Sequence, residues 1–246
     1  RGGEDGMIQS ILEYLGIPYT GSDVIASAAA ADKDVSKALY ERAGIPIARG
    51  IALERADEID TTAIVAELGE SLFVKPAVNG SSYGVTCVHE AAELMPAIER
   101  AFEHGDKILI EQRLVGTEIS IGVYGNKDLK ALPVVEIRKQ ENAEFYDLNV
   151  KYIDPKLVHR IPAQIPEADY RRAQELACAA HRALGCLGFS RSDFIVTDHG
   201  PVILETNTIP GMTDTSLYPD ELRHAGMEFP QVCDALIDMA LERARV

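Results

Sequence analysis

Apolar residues recur along this chain with two different periods, and the change from one to the other divides it. Near the start, Ile8, Ile11, Leu12 and Leu15 have helical spacing, and Gly16 with Pro18 predicts the stop. A second helix is predicted over about 32–43, halted by Gly44 and Pro46, and a short one over 61–68. SLFVKP, GVTCV and KILIEQ read as strands, with a helix over 90–103 between the last two. This alternation has α/β texture. From Glu118 the pattern changes: EISIGVYG, a Gly125-Asn126 turn and the long run LKALPVVEIR predict a hairpin, so the C-terminal part is expected to be antiparallel. A helix over about 167–184 follows, then a second hairpin turning at Asp198-His199-Gly200. Val232, Leu236, Met239 and Ala240 mark one face of a closing helix.

The opening RGGEDGMIQSILEYLG enters at a glycine-rich turn that runs into a helix with no strand before it. Such a turn normally follows a strand of an α/β unit and points an open helix N-terminus at an anion or a substrate carboxylate. A truncated α/β domain is therefore expected, the plainer alternative being a flexible tail. With 246 residues there is room for one large domain or two smaller ones. Lysine and arginine total 24 against 39 acids, and the net charge of −15 argues against nucleic acid or an anionic membrane surface as partner. Any phosphate site must be local. Neither an apolar run of membrane length nor a charged-then-apolar leader is visible, which makes the cytoplasm the default location. Cys87, Cys178, Cys186 and Cys233 lack the paired spacing of a zinc site and read as reduced core residues. His104, His159, His181, His199 and His224 have no nucleophile or ligand-like spacing around them, and we assign no catalytic histidine.

Chemistry concentrates in GFSRSDFIVTDHGPVILETNTIPGMT, residues 188–213. Asp193 lies on one strand of the hairpin, and Glu205 and Asn207 leave the other on a common face because they are two residues apart. Carboxylate and amide oxygens suit a hard ion such as Mg²⁺, which completes its shell with water and nucleotide phosphates. Solvated acids on a hairpin are the bland alternative, disfavoured by the apolar VIL and the IPG turn on either side. FVKPAVNGSSYGV, residues 73–85, puts a loop of small residues between two strands, where backbone N–H groups can approach phosphate, and Pro76 holds Lys75 extended just ahead of it. It is not a Walker A sequence, and a simple tight turn remains the alternative. In ILIEQRLVGTE, residues 108–118, a strand end can read an adenine edge while an acid further on binds ribose.

Together these segments resemble the ATP-grasp superfamily and, within it, the D-alanine–D-alanine ligases. The resemblance is carried in order by GGEDG (2–6), IPYTGSDVIASAAAADK (17–33), VKPAVNGSSYGV (74–85), IEQRLVGTE (110–118), FYDLNVKY (145–152), GFSRSDF (188–194) and ETNTIPGMTDTSLYP (205–219). It implies an α+β fold of two lobes with ATP between them: a remnant of an N-terminal α/β domain over 1–21, a central lobe over 22–116 and a C-terminal lobe over 117–246 with a flap at about 139–157. Lys33 and Lys75 would meet the phosphates beneath the Ser81-Ser82 loop, and Glu111, Gln112, Leu114, Glu118 and Lys151 would serve the nucleotide. Asp193, Glu205 and Asn207 would hold two Mg²⁺ ions, with Mn²⁺ as a substitute. Arg191 and the backbone at Gly211 would steady a tetrahedral intermediate, Ser216 and Leu217 would grip the second substrate's carboxylate, and Ser81 with Tyr152 would bridge loop and flap. The implied reaction joins two D-alanine molecules through an acyl phosphate for peptidoglycan precursors, in cell-wall biogenesis and cell shape, by a homodimer. Another carboxylate–amine pair, or a nucleotide-binding fragment without turnover, are the alternatives. Two departures stand out: the acidic residue that the family uses for the first D-alanine's ammonium would precede Arg1, and Leu148 replaces a common aromatic in the flap.

Overall fold

The structure, a computed structural model, describes residues 3–78, 84–138 and 159–243. Ser81, Ser82, Lys151, Tyr152 and the segment expected to form the flap lie outside them. Two sheets organise the rest. The smaller contains β1 (Gly50–Glu54), β2 (Leu72–Pro76), β3 (Thr86–Val88) and β4 (Lys107–Gln112), in the order β1-β4-β2-β3. Each recorded pairing in it is antiparallel. Strands β1 and β2 nevertheless point the same way, because β4 is inserted between them, and β2 separates β3 from β4 in the same manner. The helical crossovers α4 (Thr61–Leu68) and α5 (Leu94–Phe102) thus join like-directed strands that are not neighbours. This arrangement corrects the α/β texture predicted from sequence: the element order is that of βαβ units, but the pairing is not. On α5, Leu94, Ala97, Ile98, Ala101 and Phe102 form the stripe at i, i+3, i+4, i+7 and i+8 and close over Leu72, Val74, Val88, Ile108 and Ile110.

The larger sheet contains β5 (Thr117–Tyr124), β6 (Lys130–Ala131), β7 (Val135–Ile137), β8 (His159–Arg160), β9 (Phe189–Thr197) and β10 (Gly200–Asn207). Its order is β10-β9-β5-β7-β8, with β6 also on β5. The predicted partner LKALPVVEIR is two short strands rather than one, since Pro133 has no N–H to give the ladder. The full-length partner of β5 is β9. Helix α6 (Glu167–Leu184) follows its predicted bounds and packs Ala173, Leu176, Ala177, Ala180 and Leu184 over Ile119, Ile121, Val123, Phe194 and Ile203.

Besides the two-residue β8, three elements escape the sequence pattern. After the predicted first helix, α1 (Met7–Tyr14), helix α2 (Val24–Ala31) is capped by Asp23, which accepts from Ala26 N–H at 2.8 Å, and abuts α3 (Lys33–Arg42) at Asp32. Although the sequence groups these helices with the central lobe, Tyr40 and Ile45 belong to the core under the larger sheet. Helix α7 (Leu217–His224) packs with the closing helix α8 (Phe229–Arg243) around Tyr218, Leu222, Val232 and Leu236. Strand β1 is the third. No helix among the described residues is long and apolar enough to cross a membrane.

Candidate active site

The polar face of the larger sheet is written into β5. Ile119, Ile121 and Val123 enter the core, while Glu118, Ser120 and Gly122 alternate onto the opposite face. Register extends that face across three strands: Ser120 lies beside Asp193 and Asp193 beside Glu205, and Gly122 lies beside Arg191 and Arg191 beside Asn207. A bulge makes this possible. Ile203 pairs with Phe194 and Glu205 with the adjacent Asp193, so one extra residue turns the strand over and lets Ile203 stay in the core while Glu205 joins the polar face.

Asp193 is densely solicited. Ser120 Oγ donates to its Oδ1 at 2.5 Å, Arg191 donates from Nε to Oδ1 at 3.0 Å and from Nη2 to Oδ2 at 2.8 Å, and Asn207 Nδ2 reaches Oδ2 at 3.4 Å. Burial alone would lower the Arg191 pKa, and the adjacent Asp193 carboxylate reverses this and raises it above its ordinary value. Glu205 turns instead to Lys33, whose Nζ lies 3.1 Å from Oε2. That ammonium, helped by Lys75 and Arg191 against the cost of burial, holds the Glu205 carboxyl down at about 2.

Lys33 opens α3, and one turn later Lys37 points along the same face. Two lysines in that relation repel unless acids lie opposite; Lys33 has Glu205, and Lys37 has Glu111 of β4. Glu111 Oε1 is 2.5 Å from Lys37 Nζ and its Oε2 is 2.5 Å from Lys75 Nζ. Burial would raise the Glu111 carboxyl; Lys75 and Lys37 overcome it and hold the group below its usual range. The Glu111 side chain is thus engaged with Lys37 and Lys75. Gln112 likewise donates to the Leu68 carbonyl at 2.8 Å. Leu114 and Glu118 are half-buried, and Glu118 follows the polar face of β5 next to Ser120.

At the other end, Ser216 occupies the cap position of α7 without capping it: Oγ accepts from Thr213 N–H at 3.1 Å and bonds Thr213 Oγ1 at 2.8 Å. A Cβ on Gly211 would come within 2.8 Å of Ser216 Oγ, so loop and helix start are in contact. Leu217 is buried, which leaves its main-chain N–H, one of the unpaired donors of a helix start, as its means of reaching an anion. Helix α7 is fastened to β5 by Tyr218 Oη donating to the Val123 carbonyl at 2.9 Å and by Glu221 Oε2 accepting from Gly122 N–H at 2.6 Å. Any Cβ on Gly122 would overlap Glu221 Oε2 and lie 2.7 Å from Tyr218. Glu221 is 0% exposed, and burial pushes its carboxyl well above the usual range despite Arg191.

Sequence reasoning finds Lys33, Lys75, Arg191, Asp193, Glu205 and Asn207, which converge, and Gly211, Ser216 and Leu217, which form the α7 end of the same region. It misses Lys37, Ser120 and Glu221. The alternation Glu118, Ser120, Gly122 on an otherwise apolar strand signals Ser120; no local pattern signals the other two. Of the histidines, His181 is buried and bonds Ser190 Oγ at 2.8 Å, His159 pairs with Asp220 at 2.9 Å, and His199 and His224 are exposed.

Residues 39–238 match the family model described as D-ala D-ala ligase C-terminus. The chain is 44% identical over 242 residues to D-alanine–D-alanine ligase of Syntrophobacter fumaroxidans, covering 98% of itself and 78% of that protein. The chain belongs to the D-alanine–D-alanine ligases. A second member, from Desulforudis audaxviator, is 43% identical with the same coverage. Among solved structures, the D-alanine–D-alanine ligase of Bacillus anthracis superposes with a TM-score of 0.85 at 34% identity, over 99% of this chain and 78% of that one. Its complex with ATP matches at 0.83 and 30% identity, over 99% and 76%. The VanG D-Ala:D-Ser ligase of Enterococcus faecalis matches at 0.83 and 37%, over 97% and 69%. The fold is therefore the ATP-grasp fold of these ligases, and the two sheets are its frame.

Proposed function

We propose that the chain joins two D-alanine molecules to D-alanyl-D-alanine at the expense of ATP, as a cytoplasmic, homodimeric enzyme of peptidoglycan precursor synthesis. The carrying observation is the Lys33–Glu205 contact, where a phosphate-type cation from α3 meets the acidic face of the larger sheet. Lys33, Lys75, Arg191, Asp193 and Glu205 each already have a protein partner of opposite sign. Entry of a polyanion exchanges those partners: Lys33 and Lys75 turn to phosphate oxygens, and Glu205 is released.

Two carboxylates and an amide on one sheet face form an oxygen donor set that fits a hard divalent cation, so Asp193, Glu205 and Asn207 are the residues that would hold Mg²⁺ or Mn²⁺. Among the described residues no three His, Cys, Asp or Glu gather elsewhere as a rival set. Bound there, the ions would supply charge neutralisation at the phosphates. The first D-alanine carboxylate attacks the γ-phosphate to give acyl phosphate and ADP. The amine of the second then attacks the acyl carbon, loses a proton, and phosphate departs. Arg191 and the Gly211 main chain stabilise the tetrahedral oxyanion, and Ser216 with the Leu217 N–H holds the second carboxylate. By resemblance, Ser81, Ser82, Lys151 and Tyr152 close over the phosphates, and main chain near Gln112 and Leu114 with the Glu118 carboxylate receives adenine and ribose. Three blocks follow: 1–21, 22–116 and 117–246.

The test is ADP release with ATP and Mg²⁺ in the presence of D-alanine, L-alanine, D-lactate, D-serine or no acceptor. Release that requires D-alanine and gives the dipeptide is expected. Mixed product with D-serine would move the acceptor reading toward that of the VanG relative, and ATP binding without D-alanine-dependent release would favour a nucleotide-binding fragment.

A further inference from the structure

The two phosphate-type lysines come from different bodies. Lys75 is on β2 of the smaller sheet, whereas Lys33 is on α3, which is packed in the core of the larger one. Their ammonium groups can serve one polyanion only if α3 is held at a definite position over the smaller sheet. A closed ring of contacts does this. The Lys33 N–H donates to the Ala77 carbonyl at 2.9 Å, and the Ala77 N–H donates to the Lys107 carbonyl at 2.9 Å. Lys107 Nζ then returns to the residues on either side of Lys33, at 2.8 Å from Asp32 Oδ2 and 3.0 Å from Asp34 Oδ2. Asp32 divides its carboxylate between two tasks: Oδ1 accepts from the N–H groups of Asp34 and Val35 at 3.0 and 3.3 Å and caps α3, while Oδ2 takes Lys107.

Residues 107, 109 and 111 of β4 project from one face, and Lys75 stands beside Leu109 on it. From that face β4 grips α3 twice, with opposite polarity. Lys107 holds the acids that flank Lys33, and Glu111 holds Lys37 one turn on. Lys33 lies between the two grips.

We infer that Lys107 is a positioning residue for nucleotide binding, which sets the spacing of Lys33 and Lys75 by docking the start of α3 onto β4. This rests on the proposed ATP site. It acts through the two lysines, so its effect falls on nucleotide affinity.

Lys107→Met keeps the aliphatic stem and removes the charge; Lys107→Arg keeps the charge; Asp34→Asn removes one of the two acids and leaves the cap. ATP affinity is measured by calorimetry with Mg²⁺, together with KM for ATP, KM for D-alanine and Tm. Lys107→Met should weaken ATP binding roughly five- to tenfold, the scale of two partly screened ion pairs. KM for D-alanine should stay near wild type, Tm should fall by only about 2–5 °C, Lys107→Arg should return to within about twofold, and Asp34→Asn should fall between. Unchanged ATP affinity in Lys107→Met overturns the inference, as does a loss accompanied by an equal rise in KM for D-alanine or by a fall in Tm well beyond about 5 °C. A wild-type protein that binds no ATP would instead refute the ATP site itself.

Discussion

Glu111 is the most consequential single charge in the site. It is 4% exposed and bonds two ammonium groups whose side chains are nearly as deeply buried. Glu111→Gln preserves shape and one acceptor oxygen but deletes the negative charge, which leaves Lys37 and Lys75 as neighbouring buried cations. Loss of one partner from a buried ion pair costs about 3–5 kcal/mol. The upper end is also set independently. Lys37 can escape by losing its proton, and taking an amine from its ordinary 10.5 to neutral at pH 7 costs about 5 kcal/mol. At about 2–4 °C per kcal/mol for a chain of this size, Tm should fall by roughly 6–20 °C.

The double variant Lys37→Met/Glu111→Gln removes the stranded cation together with its counter-charge. It should therefore be more stable than Glu111→Gln alone by about 2 kcal/mol, a non-additivity that reports direct coupling. A pH profile gives a further check. Burial already lowers the folded-state pKa of Lys37 below its unfolded value and loss of Glu111 lowers it further, so in Glu111→Gln stability rises with pH more steeply than in wild type up to the ordinary lysine pKa. The deficit against wild type should shrink between pH 7 and pH 10. Urea unfolding of wild type, Glu111→Gln, Lys37→Met and the double variant measures both effects. Additive single and double variants, or a Glu111→Gln deficit under about 1 kcal/mol, would refute the account of Glu111 as the shared counter-charge of two buried lysines.

Arg191→Ala should lower kcat on the order of 100-fold or more with little change in KM for D-alanine, because its interaction strengthens with the oxyanion; steady-state kinetics decides, and an effect confined to KM contradicts the role. Glu205→Ala and Asn207→Ala should each abolish Mg²⁺-dependent turnover with the circular dichroism spectrum intact, and wild-type turnover in either would remove it from the ligand set. His181 is 1% exposed, and burial lowers its pKa to about 4 from 6.5. The unfolded chain therefore takes up a proton that the folded one refuses between those values, and stability must fall as pH drops from 6.5 to 4, by up to about 3 kcal/mol. Urea unfolding of wild type and His181→Gln over that range should diverge by that amount, and parallel profiles would show that His181 is not the group responsible.

What the sequence discloses is local. Period-two alternation finds β5, the 188–213 hairpin and the shared face of Glu205 and Asn207, and a clean 3.6-residue stripe finds α6 and α5. Elements without such a stripe stay hidden. VIASAAAA of α2 is apolar or small all round and has no face to detect. SLYPDELRH conceals α7 because Pro219 suggests a break, yet it falls in the first turn, where its missing N–H costs nothing.

The deeper gap concerns pairing at a distance. Strand β4 lies between β1 and β2 although it follows both in the chain, and only that insertion brings Glu111 between Lys37 and Lys75 and Lys107 beside Asp32. The bulge before Glu205 is equally silent, since ILETN reads as an ordinary strand end, yet without it Glu205 would follow Ile203 into the core. The residue types that do chemistry can thus be recognised one by one, whereas the groups that hold them at working distance are identified by register. This explains why Lys33 and Lys75 were within reach of sequence alone and Lys37, Glu221 and Lys107 were not: each of the latter has meaning only through a partner more than 70 residues away in the chain.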